Sequence, residues 1–133
     1  METKTHAIWM RLLLGALALV ILFFTLPAYP NPTSNPGLAG LTGEAATLGS
    51  LAGAFLGRQL TLALIAAYGA FKGTTQPMII GAFAIGFFNI HDAFFLSVFG
   101  AGGAGAIAGV VLGVLGLGLM WMVMRSAKES PAS

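Results

Sequence analysis

Four apolar runs of about 20 residues or more follow one another along a chain of 133 residues, with only short polar joints and one longer loop between them. Coiled as an α-helix at about 1.5 Å per residue, each run is long enough to cross the ~30 Å hydrocarbon layer of a bilayer. A helix is the form such a run takes in lipid, because it satisfies every backbone N–H and C=O within the segment where no water is present to do so. The chain therefore reads as an all-α, four-transmembrane-helix bundle, a single membrane domain over 1–133. Its spans are near 7–26, 45–71, 77–99 and 104–124, with a Pro-rich loop at 27–44. Hydrophobic residues make up 57% of the chain and charged ones 8%, too little polar surface to clothe a soluble domain of this size. No length remains for a separate soluble domain.

The net charge of +2 comes from six basic residues that form no stripe or cluster, which excludes a nucleic-acid partner. With no cysteine, disulfides, thiolate catalysis and Cys-based metal sites are excluded as well. The first run resembles a signal peptide in its basic lead-in. It is longer than an ordinary h-region, however, and Pro27, Tyr29 and Pro30 make a poor cleavage site, so a retained helix is expected.

Pro27, Pro30, Pro32 and Pro36 end the first span, since proline removes a donor and fixes φ. Neither Asn31 nor Asn35 starts a glycosylation acceptor. The second span is expected to open with Thr42 as N-cap and Glu44 in its first turn, where an acid suits the helix dipole. It stops at Lys72-Gly73. Pro77 then stands where a first helical residue should, and the stretch 100–104 separates the third span from the fourth, which gives way to a polar tail at 125–133. The two halves show no sequence repeat, which leaves an inverted-repeat transporter unsupported.

Four spans place Lys4, Arg11, Lys72, Arg125 and Lys128 on one side and no Lys or Arg on the other. The positive-inside rule then puts both termini in the cytoplasm and the Pro-rich loop outside, as a multi-pass protein of the cell (inner) membrane. Trp9 and Trp121 would lie at the cytoplasmic interface, where indoles are favoured.

Glycines at four-residue spacing permit the close backbone approach on which helix association in lipid depends. Gly49, Gly53 and Gly57 form such a row in the second span, and Gly105, Gly109 and Gly113 in the fourth. Either row can serve as an internal seam or join copies into a homo-oligomer.

Charge deep in a span costs at least ~2.5–3.5 kcal/mol when left alone, so buried ions are expected to face the bundle interior and find partners. Arg58 and Asp92 each lie roughly 20 Å from the cytoplasmic side along antiparallel spans, which predicts an ion pair between them. Asn89, three residues before Asp92, is placed to satisfy a remaining hydrogen bond. Glu44 and Thr47 fall on the Arg58 face and would extend a polar stripe toward the loop. His91, one residue from Asp92, points about 100° around the helix and is expected on another face. His6 and His91 are too far apart in sequence to found a metal site. The phenylalanines of the third span read as lipid-facing or core filling. No phosphate loop, nucleophile elbow or zinc-protease helix is present.

The segment Gly57-Arg58-Gln59-Leu60-Thr61-Leu62-Ala63-Leu64 with Tyr68-Gly69, followed by Asn89-Ile90-His91-Asp92-Ala93, resembles the small DoxX-like four-helix membrane proteins. The resemblance covers about residues 45–100. It implies a four-helix bundle and draws attention to Arg58 and Asp92. Some members of that grouping are linked to redox or sulfur metabolism, but this chain has no cysteine for a thiol-based version of that role. The cofactor, if any, is left unknown. Three functions stay open: a binding or accessory protein holding a small apolar ligand or a partner subunit, a membrane enzyme using His91, Asp92 and Arg58, and an oligomeric transporter or channel.

Overall fold

The computed structural model describes residues 4–100 and 103–129. Four long helices dominate it: α1 (Ile8–Thr25), α2 (Leu51–Lys72), α3 (Thr75–Phe99) and α4 (Ala104–Lys128). All four are long and apolar enough to cross a membrane. Between α1 and α2 the chain makes four short 3-10 turns, three of which carry proline in their first two positions, where its fixed φ and missing N–H cost nothing.

The second helix begins at Leu51 rather than near residue 45. Thr47 is extended (φ −93°, ψ 155°) and its hydroxyl donates to the Glu44 carbonyl at 2.7 Å, a local bond that competes with helix propagation. Thr42 consequently precedes the 3-10 turn Gly43–Ala46, with no side-chain cap bond, and does not cap α2. At the other end of the chain α4 runs through the start of the expected tail, supported by an Arg125–Glu129 ion pair of 2.7 Å one turn apart. Residues 130–133 of that tail, and 101–102 of the expected break, lie outside the described residues.

Helix α3 is the hub, with α2 on one side and α4 on the other, and small residues set both contacts. On the α2 side, a Cβ at Gly69 would meet the Pro77 carbonyl oxygen at 2.5 Å, and one at Gly81 the Ala66 Cα at 2.9 Å. The Leu14 side chain of α1 reaches into this notch, lying within 3.4 Å of both positions. On the α4 side, a Cβ at Gly116 would stand 2.7 Å from the Gly86 nitrogen, Gly109 packs on Asn89 and Ala93, and Gly113 crosses the Ile90 side chain. The core that results draws Leu14, Leu17 and Ile21 from α1, Ala63 and Ala66 from α2, Met78, Ala82 and Ile85 from α3, and Leu119 and Val123 from α4.

Of the two predicted glycine rows, the fourth-span row therefore packs against α3, with Gly105 more loosely set against Pro36 and Leu96. The second-span row is not an internal seam. Gly49 precedes α2, Gly57 faces open space, and the nearest atoms to a Cβ at Gly53 are those of the Leu48 backbone five residues back. Outward faces remain strongly apolar, with Phe23, Phe71, Phe99 and Ile107 all more than 65% exposed. A protein surrounded by water would not leave such surface open on every helix.

At the end of the bundle that carries the α2–α3 joint, the segment before α1 is tied to that joint. Thr5 bridges Thr74, and the His6 N–H donates to the Gly73 carbonyl at 2.8 Å. Gly73 ends α2 in the left-handed region (φ +68°), which a side chain would strain. Arg11 donates from Nε to the Ala70 carbonyl (3.0 Å) and from Nη2 to the Phe71 carbonyl (2.8 Å), satisfying acceptors that the helix end leaves open. His6 is buried, with Nε2 2.8 Å from the Thr75 hydroxyl and Nδ1 without a partner. Burial, reinforced by the Lys4 charge, lowers its proton affinity below the ordinary value of 6.5.

Two outcomes follow from this packing. Gly116→Val forces α3 and α4 apart and lowers the thermal midpoint in detergent strongly. Gly57→Ala has room and gains about 0.5–1 kcal/mol from helix propensity, so an equal loss in both variants would contradict the assigned faces. Because the folded pKa of His6 is depressed, the unfolded chain takes up the proton first as pH falls. Stability is then full above pH 6.5 and declines below it. Thermal melts from pH 7.5 to 5.5 check this against His6→Gln, which is expected to remove that component of the decline.

Candidate functional site

Arg58 lies seven residues into α2 and Asp92 seven residues before the end of α3, about 10 Å along the axis from the loop end of each helix. The two helices are antiparallel neighbours, so both charges stand at one level. The expected ion pair is nevertheless not formed: among the described residues no Arg58–Asp92 contact falls within 4.0 Å. The Arg58 guanidinium carbon rests 5.7 Å from the ring centres of both Phe55 and Phe88, a pair of rings 6.2 Å apart. Such a cation–π seat is worth about 0.5–1 kcal/mol at an exposed site. Asp92 instead accepts a hydrogen bond from His91, with Nδ1 to Oδ1 at 3.1 Å.

Three expectations change with this geometry. Arg58 is exposed on the outer face of the bundle, and its neighbour Gln59, about 100° around the helix, turns inward and is 7% exposed. A long side chain only two turns from the helix end can keep its head near polar surroundings, which relaxes the demand for an interior partner. His91 and Asp92 do meet, because the imidazole bends along the helix to reach the adjacent carboxylate. Since a carboxylate only accepts, Nδ1 is the donor, and the imidazole remains half exposed. Asn89 is buried, and its amide N–H donates to the Ile85 carbonyl one turn back (2.8 Å); it makes no hydrogen bond with Arg58 or Asp92. Glu44 and Thr47 sit in the exposed stretch before α2, so no polar stripe runs from them along the Arg58 face.

The space around these groups is a set of lateral clefts. One of about 450 Å³ lies between α2 and α3, walled by Leu62, Ile80, Phe83 and Phe87 with Arg58, His91 and Asp92 at its loop-side end. A second, of about 380 Å³, continues from Arg58 and Asp92 past Phe95 and Phe99 to Gly100. A third, of about 300 Å³, lies between Arg58 and Leu38, Leu41 and Leu51. Small-molecule sites range over roughly 300–1,000 Å³, so the first cleft is of ligand size, whereas the internal space beneath the loop, about 60 Å³, is not.

Along α3 the rings of Phe83, Phe87, His91, Phe95 and Phe99 form a continuous ladder. Successive centres are 5.5, 6.1, 4.7 and 5.5 Å apart. The four-residue spacing that stacks them was legible in the sequence. Only the structure shows the histidine as one rung of the ladder and the ladder as the rim of the clefts. No group of three or more His, Asp or Glu side chains able to hold a metal occurs among the described residues.

The sequence reading missed a buried polar cluster that positions the loop over this site. Asn35 donates from Nδ2 to the Gln59 Oε1 (2.9 Å) and the Phe24 carbonyl (3.1 Å), and its Oδ1 accepts from the Gly37 N–H (2.9 Å). The Thr25 hydroxyl lies 2.8 Å from the same Gln59 oxygen and 2.6 Å from the Ile21 carbonyl. Gln59 thereby holds the end of α1 and the Pro-rich loop together, with Ala28, Leu38, Ala52 and Leu56 packed alongside. A glutamine inside an apolar run was the available signal, masked by the arginine beside it.

Gln59→Leu removes the acceptor that Asn35 and Thr25 share and is expected to cost about 1–3 kcal/mol. Thermal unfolding reads the loss, and limited proteolysis reads an earlier cut within 26–50. An unchanged melt and digest would show that the cluster does not pin the loop. In comparisons with known proteins, no family model, no curated protein and no solved structure matches the chain.

Proposed function

We infer that the chain is a multi-pass membrane protein that binds a small amphipathic molecule in the lateral groove between α2 and α3. On this reading the polar end of the molecule meets Arg58, Asp92 and His91. The observation that carries the reading is the convergence of ligand-sized clefts on an unpaired guanidinium and a neighbouring carboxylate, in a surface that is otherwise apolar. Sites for small molecules combine apolar walls with a few placed polar groups, and ionisable residues within membrane helices mark function more often than packing. The two segments that resemble DoxX-like proteins supply Arg58 and Leu62 on one wall and His91 and Asp92 on the other.

The charge distribution supports an inner-membrane orientation with both termini in the cytoplasm. Lys4, Arg11, Lys72, Arg125 and Lys128 gather at the end of the bundle opposite the Pro-rich loop, and residues 26–50 contain no Lys or Arg. Trp9 and Trp121 belong to that same basic end. The charged end of the groove then lies in the outer part of the membrane, and its apolar walls reach inward to Ile80. A pore through a single chain is disfavoured, because its four helices close on a packed core; the transporter or channel reading requires several copies around a shared pore.

Catalysis is the second reading, favoured by the contact of 3.1 Å between His91 Nδ1 and Asp92. A carboxylate so placed fixes the imidazole tautomer and leaves Nε2 as a base, with Arg58 across the cleft as an anion clamp.

Mass spectrometry of the purified wild-type protein after solvent extraction tests the binding reading. One amphipathic species per chain is expected, and Ala84→Trp, which narrows the groove from its α3 wall, is expected to lose it while helix content confirms the fold. No retained species in the wild type across several mild detergents would overturn it.

A further inference from the structure

The charges at the groove are separate, opposite and at one level, and that arrangement selects a ligand. Arg58 is exposed with only ring faces against it, and Asp92, whose side chain is 25% exposed, spends one oxygen on His91 and keeps acceptor capacity. Arg58 and Asp92 thus present one group of each charge type to the groove. A purely anionic head group would gain Arg58 but face the repulsion of Asp92, and an uncharged polar one would leave both ions unanswered.

Resting on the binding reading above, we propose that the occupant is an aminophospholipid, a zwitterion carrying a phosphate diester next to a primary ammonium. Phosphate oxygens accept from the forked guanidinium of Arg58, a geometry arginine favours. The ammonium donates to Asp92, which a trimethylated amine, having no N–H, cannot do. One of its two hydrocarbon chains lies along the groove away from the loop. From Asp92 to Ile80 the groove follows twelve residues of α3, about 18 Å, walled by Phe87, Phe83 and Leu62. The second cleft, rising past Phe95 and Phe99 to Gly100, leaves room for the head group on the loop side.

The full chain, stripped in mild detergent and offered an equimolar mixture of phosphatidylethanolamine, phosphatidylglycerol and phosphatidylcholine with identical acyl chains, reports the selection by native mass spectrometry. Phosphatidylethanolamine is expected to be retained at least about fivefold over each of the others, a preference of about 1 kcal/mol. Arg58→Gln and Asp92→Asn are each expected to bring the ratio to near one, with helix content and monodispersity confirming that the variants fold. If either variant fails to fold, the wild-type ratios decide alone. Preference for phosphatidylglycerol, or equal retention of phosphatidylcholine, would overturn the zwitterion assignment while leaving groove binding intact. So would retention of none of the three by a protein that carries another amphiphile from the cell. Absence of any bound species, in this experiment and in the extraction from cells, would remove both readings.

Discussion

The close approach of backbone to backbone along α3 is the contact on which the rest of the molecule depends. Gly69 against Pro77, Gly81 against Ala66, and Gly116 against Gly86 leave no space for side chains between the helices. Where surroundings are as apolar as the helix surfaces, packing of this kind holds helices together better than hydrophobic burial can. With α3 clasped from both sides, the rotation of each neighbour is fixed. The side of α3 that carries Phe83, Phe87, His91 and Phe95 is left outward, beside a groove shared with α2.

A polar constraint fixes the loop end in the same way. Gln59 is the one side chain of α2 that answers Asn35 and Thr25, and burying an amide without partners is expensive. Its inward position obliges Arg58, one residue earlier, to turn outward. The guanidinium therefore ends above Phe55 and Phe88 at the mouth of the clefts, and Asp92 takes the histidine next to it. A site with two opposite charges that do not pair with each other is thus a consequence of how the loop is held, since Arg58 and Gln59 project about 100° apart and it is Gln59 that enters the bundle.

The opposite end of the bundle shows how a short segment can lock a helix joint. Arg11 closes the carbonyl end of α2, His6 and Thr5 add main-chain bonds to the joint, and Gly73 supplies the left-handed turn that lets α3 begin at once. Lys72, Arg125 and Lys128 stand in the last turns of α2 and α4 at this same end, where cations are favoured by the backbone dipole.

By itself the sequence determined the four helices, because apolar runs of this length in a chain so poor in charge have no other stable form. It also determined the shared level of Arg58 and Asp92, which counting residues along antiparallel spans is enough to give, and the value of glycine at 109 and 113. The start of α2 was hidden, since Thr47 and Ser50 make local bonds that override an apolar pattern. Tertiary structure alone decided which faces turn inward: that Gln59 rather than Arg58 enters the bundle, that Gly57 meets nothing, and that His91 reaches Asp92. Helical period fixes angles between neighbouring residues but not the rotation of the helix itself, which only its contacts with the other helices and the loop can set.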